Sequence, residues 1–344
     1  MKIFYVWSAA RYAVHDVATG YATAFERAGH DVHHFRLYTR LEWYASASAA
    51  VGEPDTRETV GRFVKVCSDL MVAEFLRHGQ DADMIFIVSG IALHPDVLWM
   101  LKQMKRTIPV AILLTESPYV DDAQHYLAQF CDVVFTTERV SAEKYGWHYL
   151  RHAYEPAVHH TGAADADLAC DVVMIATGFQ DRLRVMEAID WGNIDFRLMG
   201  NWPEIDDSGA GHPLYRYYNP TIVPNERAVD WYRAATISLN LHRKGAHAES
   251  ANPRTYELAA CGAFQLASWR PEIEEIFGDS VAMFQTPQDL QRLMYYWLNP
   301  GTEQERKDKA ERSRQLVQGE TFDARASEVL SCVVSKPQAA LAAV

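Results

Sequence analysis

The chain has little paired cysteine, no long apolar run and no excess of positive charge. Its five cysteines (Cys67, Cys131, Cys170, Cys261, Cys332) are scattered and form no CxxC. An odd count without close pairs argues against a disulfide framework or a structural zinc and reads as a reducing compartment. No segment approaches the ~20 apolar residues that span a bilayer. The apolar start, Met1 to Trp7, is far shorter than the core of a secretion signal. The expectation is a cytoplasmic protein without membrane insertion. Lys and Arg number 33 against 45 Asp and Glu, giving a net charge of −12 and an isoelectric point near 5.6. That balance argues against a general nucleic-acid coat or a binder of anionic membranes, while leaving room for a local basic groove. The fourteen histidines show no HExxH or similar spacing, and His33-His34 and His159-His160 read as surface pairs. Neither a short internal repeat nor a metal-ligand pattern is visible, so no metal and no cofactor are expected.

What is present is a chain of 344 residues, 49% hydrophobic and 23% charged, ordinary for a globular protein and long enough for two domains. Short apolar runs alternate with helical patterns. Strands are predicted at Lys2–Trp7, Asp31–Tyr38, Met84–Ser89, Val110–Thr115 and Asp132–Thr136, with helices around 17–28, 56–77 and 95–105 between them. Strands this apolar imply a parallel sheet covered on both faces. The composition changes at Thr161–Leu168 (TGAADADL), a linker by its small polar residues. The pattern then restarts: strands at 171–176, 195–199, 236–241 and 264–268, with helices at 181–189, 226–235, 253–261, 287–298, 303–317 and 322–334. The expected fold class is α/β, two doubly wound domains in tandem with a cleft between them. The expected boundaries are 1–160, 161–330 and a tail 331–344, with ligands at the carboxyl ends of strands.

The densest signal is Glu249-Ser-Ala-Asn-Pro-Arg-Thr-Tyr-Glu257, running into Gly262. Asn252 is a good N-cap, Pro253 suits the first helical turn, and Gly262 suits the helix stop. The positive end of this short helix points at whatever binds beside Glu249 and Ser250. An anion site flanked by two carboxylates suits a sugar nucleotide, with amides for diphosphate and carboxylates for hydroxyls. Acids that merely decorate a helix start are the bland alternative.

Several ordered motifs resemble the GT-B glycosyltransferases. They are Asp171-Val-Val-Met-Ile-Ala-Thr-Gly178 with Arg182, Leu198-Met-Gly-Asn201, Val223-Pro-Asn-Glu226, Ser238-Leu-Asn-Leu-His242, and Asn252-Pro-Arg-Thr-Tyr-Glu257 with Gly262. The second half is most similar to the family 1/family 4 type, and within it to the spore-maturation (CgeB-like) group. The likeness covers roughly residues 145 to 330 and makes the domains Rossmann-like; the first half matches only as an α/β pattern. It implies that Glu257 binds the ribose hydroxyls, that Glu249 contacts the donor sugar near its anomeric carbon, and that transfer retains configuration. Catalytic roles fall on Glu249, Arg182 and Lys244. Donor contacts fall on Glu257, Gly178, Asn201, Val223, Pro224, Arg243, Ser250, Asn252, Arg254 and Thr255.

The residues also carry plainer readings. Arg182 either grips the diphosphate and stabilises its departing charge or belongs to a solvated face with Asp181 and Arg184. Arg243 and Lys244 share a phosphate or tip a basic loop. Gly178 admits a ligand or only supplies a φ angle. Asn201 contacts a ligand or closes a turn. Val223 and Pro224 lie where similar proteins meet a nucleobase through the main chain, and no side chain there names the base. On the acceptor side, Arg11, His15, Asp16 and Glu116 follow strand ends: Glu116 as a base or part of a solvated turn, Arg11 for an acidic acceptor.

The resulting expectation is a metal-independent glycosyltransferase, of hexosyl or pentosyl type, using a nucleotide-diphosphate sugar such as a UDP-sugar. The acceptor is unknown: small molecule, glycan, protein or nucleic acid. The alternatives are glycosylation of DNA or a modified base, a non-catalytic sugar-nucleotide sensor, and an epimerase.

Overall fold

The computed structural model describes residues 1–9, 13–104, 107–245 and 247–335. Arg11, one of the expected acceptor-side residues, lies outside them. By contacts the chain divides into Met1–Arg151 with Phe322–Val344, and His152–Thr321. This division differs from boundaries at 160 and 330: the small polar stretch 161–168 lies inside the second unit, and the chain after 321 belongs with the first.

The first unit runs β1 (Lys2–Val6), α1 (Ala13–Arg27), β2 (Asp31–Phe35), α2 (Leu37–Ala50), α3 (Arg57–His78), β3 (Met84–Val88), α4 (Pro95–Met104), β4 (Val110–Leu114), α5 (Asp121–Ala128), β5 (Val133–Thr136), α6 (Arg139–Tyr145) and β6 (His148–Tyr149). Its strands pair in the order β2-β1-β3-β4-β5-β6, all parallel. Every residue of β3 (MIFIV) and β4 (VAILL) is buried, which is why these runs show no alternation: helices cover both faces. Phe4, Phe35, Met71, Phe75, Ile87 and Ile112 belong to one buried cluster on one face.

Sequence reading places α3 well, because Thr56 is a true N-cap whose side chain accepts the Thr59 N–H. It misses α2 and extends β2 too far. α2 begins directly after the strand on Arg36, with no side-chain cap bond, and its second half is Ala-Ser-Ala-Ser-Ala-Ala. Neither a start signal nor a clear apolar stripe marks it.

The second unit runs β7 (Cys170–Thr177), α7 (Gln180–Glu187), β8 (Phe196–Asn201), α8 (Pro203–Ser208), β9 (Tyr218–Asn219), α9 (Asn225–Ala234), β10 (Ala235–Asn240), α10 (Pro253–Ala260), β11 (Gln265–Ser268), α11 (Pro271–Phe277), β12 (Ala282–Phe284), α12 (Pro287–Trp297) and α13 (Glu303–Leu316). The order is β12-β11-β10-β7-β8-β9, again parallel. The chain winds outward in both directions from β7, so β7 and β10 flank the switch point where such sheets bind ligands.

The last described helix, α14 (Phe322–Val334), packs on α1 of the first unit. Phe322 stacks edge-on against Tyr21 at 5.4 Å, and Arg27 pairs with Asp323 at 2.8 Å. Gly20 makes the fit possible: a Cβ there would lie 2.3 Å from the Phe322 ring. Among the described residues no helix is long and apolar enough to cross a membrane.

Candidate functional site

The switch point of the second unit is spanned by one arginine. Arg182, in the first turn of α7, donates from Nε to the Leu241 carbonyl at 2.9 Å and from Nη1 to the Thr177 carbonyl at 2.9 Å. One guanidinium thus ties the carboxyl end of β7 to that of β10. Its planar fork holds two donors on separate nitrogens in a fixed relation, which an ammonium does not. The Phe179 ring is approached by two guanidinium groups, that of Arg182 at 5.2 Å and that of Arg243 at 4.6 Å.

Beyond β10, the loop 241–252 is fastened at several points. The Lys244 N–H donates to Asp181. Arg270, the residue before α11, donates from Nη2 to the Arg243 carbonyl at 2.7 Å. Arg182 and Lys244 line a cavity of about 220 Å³ with His242, Ser268, Trp269 and Arg270. Sequence reading did not single out Arg270. Its signal was available: a cation in Ser-Trp-Arg-Pro, at the end of a strand and the start of a helix, the position used for Arg182. Four basic residues, Arg182, Arg243, Lys244 and Arg270, are therefore gathered around one loop.

His242 is the hub of a buried polar network. Its Nε2 accepts the Asn252 main-chain N–H at 3.1 Å, which fixes the neutral tautomer with the proton on Nδ1, facing Ser268 Oγ at 3.4 Å. Burial, reinforced by the Arg270 and Arg182 charges, holds its pKa well below the usual histidine value. Asn252 Nδ2 donates to Asn240 Oδ1 at 2.8 Å, and Asn240 Nδ2 donates to Thr255 Oγ1 at 3.0 Å. Asn252 Oδ1 caps α10 by accepting the Thr255 N–H at 3.0 Å. Gln265 Nε2 closes the network on the Thr255 carbonyl at 3.1 Å.

These bonds give several expected donor residues an internal task. The side chains of Asn252 and Thr255 are engaged with each other and with Asn240, and Thr255 is fully buried. At the mouth of α10 the Ala251 N–H goes to Glu272 Oε2 at 2.5 Å and the Asn252 N–H to His242. The Glu272 N–H in turn donates to the Glu249 carbonyl at 3.2 Å. Ser250 is buried in this fastened loop, while Glu249 is half-buried. Positive charge available to an anion therefore comes chiefly from the arginine and lysine side chains.

One turn into α10, Glu257 is 7% exposed. Its carboxylate makes no hydrogen bond with the described residues; the neighbouring charge is Arg254, whose Nε donates to Tyr232 Oη at 3.0 Å. Burial raises the Glu257 pKa, and Arg254 opposes the rise. A buried carboxylate without donors is costly unless something supplies them.

On the β8 side, Gly178 gives its N–H to the Asn201 carbonyl at 2.7 Å. A Cβ at 178 would meet the Trp202 ring at 2.6 Å, so the close approach that requires glycine is made by Trp202. Asn201 ends β8 and is half-buried. Val223 packs against the cluster around Val229 and Tyr232, and Pro224 is the N-cap residue of α9. His159 is a correction to the sequence reading: it is 3% exposed, not on the surface, and burial pushes its pKa down to about 4.

In the first unit, Glu116 follows β4 and is held at both oxygens, by Ser89 Oγ at 2.5 Å and Gln124 Nε2 at 2.9 Å. Ser89 has φ +69°, a conformation rare for a residue with a side chain. His15 lies 5.2 Å from the Trp7 ring and 5.0 Å from that of Tyr38, and Asp16 is in the first turn of α1.

Comparison with known proteins shows what the chain is similar to. Residues 181–331 match the protein-family model described as glycosyl transferase-like. The chain is 24% identical over 253 residues to spore protein CgeB of Bacillus subtilis (strain 168), covering 65% of this chain and 75% of that protein. Among solved structures it is similar to the E. coli trehalose-6-phosphate protein bound with UDP-2-fluoro glucose, with TM-score 0.69 and 11% identity over 98% of this chain and 100% of that one. An alpha-glucosyltransferase in complex with UDP and a DNA 13-mer superposes with TM-score 0.65 and 11% identity, over 98% and 100% of the two chains. The trehalose 6-phosphate synthase of Burkholderia multivorans gives TM-score 0.64 at 11% identity, over 100% and 99%.

Proposed function

Because the chain has the GT-B fold and groups with glycosyltransferases close to the CgeB-like proteins, we propose that its second unit binds a nucleoside-diphosphate sugar. The sugar is then moved, with retention, to a hydroxyl of an acceptor. The observation that carries this reading is Glu257. A carboxylate buried without donors is the natural partner of a vicinal diol, which offers two O–H groups at once, and a ribose supplies that diol. The solved relatives named with UDP or a UDP-sugar make uridine the proposed base.

The other roles follow from charge. As the bond between the anomeric carbon and the diphosphate oxygen breaks, its electron pair stays on the diphosphate. Arg182, held rigid by two carbonyls, and the Lys244, Arg243 and Arg270 side chains stabilise that charge. Four cations around one loop supply this stabilisation without a metal ion in the proposed step. Glu249 is proposed to face the donor sugar. Asn252, Thr255 and Gly178 serve by shaping the site, with Arg254 beside Glu257.

Calorimetric titration of UDP-sugars into the full chain, with release of UDP as the rate, tests the reading. Glu257→Ala should weaken donor binding ~10- to 100-fold, the loss of hydrogen bonds to a charged group. Glu249→Ala should leave binding within a few-fold and lower turnover ~100-fold or more. If neither substitution alters affinity or rate, the donor-site reading is wrong.

A further inference from the structure

Glu272 is a buried carboxylate that takes no part in the charge scheme above, yet it meets the loop that carries Glu249 at two points. We propose that Glu272 is a positioning residue of the donor site, which sets the direction of Glu249 by bracing the main chain on both sides of Ser250. The inference rests on the transferase reading above.

The loop needs a brace because of its length. The connection from β10 to α10, residues 241–252, exceeds the ~2–6 residues usual between a strand and a helix in α/β units. A loop of this length has no hydrogen-bond ladder of its own and takes its rigidity from what it touches. Here the neighbouring strand supplies it. β10 and β11 are parallel and in register, Asn240 against Ala267, so the segments that leave them run side by side. The His242 N–H donates to Ser268 Oγ at 2.7 Å, and Arg270 holds the Arg243 carbonyl at 2.7 Å. These two bonds fasten the start of the loop, and Glu272 fastens its end.

Pro271 prepares Glu272 for that task. It opens α11, where its missing N–H costs nothing and its fixed φ starts the helix. The Glu272 N–H is then one of the first-turn donors that no helical carbonyl takes, and it goes to the Glu249 carbonyl at 3.2 Å. The Glu272 carboxylate accepts the Ala251 N–H at 2.5 Å. One residue therefore gives a bond to position 249 and takes one from position 251, as a residue of a paired strand does. The two peptide planes that flank Ser250 are fixed by these bonds, and the first of them belongs to Glu249 itself. Ala251 and Glu272 are both buried, so water does not replace the bond if it is lost. A misplacement of ~1 Å at a reacting group is enough to cost ~10²-fold in rate.

The test uses the full chain and UDP release from whichever UDP-hexose gives the highest rate in a panel. Glu272→Ala removes the acceptor of the Ala251 N–H and should lower kcat ~10- to 100-fold, with KM changed by less than about threefold. Glu272→Gln keeps the length and an acceptor oxygen and should recover most of that rate. Glu272→Asp keeps the charge but is one methylene short, and should not. In the Glu249→Ala background, Glu272→Ala should lower kcat no further, because the brace then has no carboxylate to aim. Amide exchange at Ala251 should be at least ~10-fold faster in Glu272→Ala than in wild type, with circular dichroism showing both folded. A Glu272→Ala chain that keeps the wild-type kcat, or loses as much without Glu249 as with it, overturns the positioning role. Rescue by aspartate and not by glutamine overturns it too, and this pair decides if the alanine variant does not fold. A wild-type chain that neither binds nor cleaves any UDP-hexose sinks the transferase reading instead, while exchange at Ala251 still decides whether Glu272 braces the loop.

Discussion

The Asn252 main-chain N–H points at His242 Nε2, 3.1 Å away, so the residue that opens α10 is held by a residue two positions beyond the end of β10. Removing the imidazole leaves a buried N–H without an acceptor and loosens the loop that carries Glu249. His242→Ala should therefore cost about 1–3 kcal/mol at neutral pH. The pH dependence follows from the direction of the shift. Because the folded pKa lies well below that of the unfolded chain, ~6.5 for histidine, unfolding takes up a proton in acid. The stabilisation is whole above about pH 6.5 and declines as pH falls below it. His159 adds a decline of the same sign, its pKa being pushed to about 4. Urea denaturation at pH 8 and pH 5 should show the gap between wild type and His242→Ala narrowing in acid. A gap that is constant or widens would mean that His242 is not buried neutral.

Gly20 and Phe322 are 302 residues apart in sequence and in contact in space. Alanine at position 20 gains ~1 kcal/mol of helix propensity but places a methyl 2.3 Å from the Phe322 ring, an overpacking that costs about 1–3 kcal/mol. The clash should win, lowering the melting midpoint of Gly20→Ala. Phe322→Leu added to that variant should recover part of the loss. A stabilised Gly20→Ala would show that α14 does not seat on α1 as described.

What the sequence made legible was local. Apolar runs such as MIFIV and VAILL name buried parallel strands, and Asn-Pro before a helical run names the start of α10, because cap and strand signals are carried by neighbours along the chain. Three features were out of reach for the opposite reason. α2 has no cap bond and a weak pattern. The return of α14 to α1 depends on one glycine and one ring far apart in sequence. The internal role of Asn252 depends on Asn240, His242 and Gln265, which reach it only once β10 and β11 pair in register, Ser238 against Gln265 and Asn240 against Ala267. Acids and amides around a ligand look alike in a sequence whether they face the ligand or hold the loop that does. The partners decide, and partners are tertiary. Glu257 differs because its neighbours leave it without a donor, a fact that burial reveals and spacing does not.

Glu257 links stability to the proposed donor site. Burial raises its pKa, so the folded chain takes up this proton at a higher pH than the unfolded chain does. The destabilisation by the ionised form is absent in acid, below the ordinary carboxylate range, and appears as pH rises through the folded value. Glu257→Gln removes it while keeping the shape. Thermal melts should show the variant above wild type at pH 8 and level with it near pH 4, whereas donor binding at pH 8 should be weaker in the variant. A variant that is no more stable at pH 8, or that binds UDP-sugars unchanged, would contradict the assignment of a charged carboxylate awaiting a diol.

Arg182 tests whether position or charge matters at the switch point. Its Nε and Nη1 are committed to the Leu241 and Thr177 carbonyls, which fixes the remaining edge of the guanidinium in one orientation. Lysine keeps the charge and loses the fork. Thr177 retains the Phe179 N–H as a donor at 3.0 Å, so the carbonyl is not orphaned and the fold should tolerate the change. If leaving-group stabilisation depends on a preorganised cation, Arg182→Lys and Arg182→Ala should both lower kcat for UDP release ~10²- to 10³-fold, with donor affinity changing far less. If lysine restores most of the rate, the cation alone suffices and the bridge between β7 and β10 serves the fold. The ratio of the two variants' rates, with circular dichroism showing both folded, separates these outcomes.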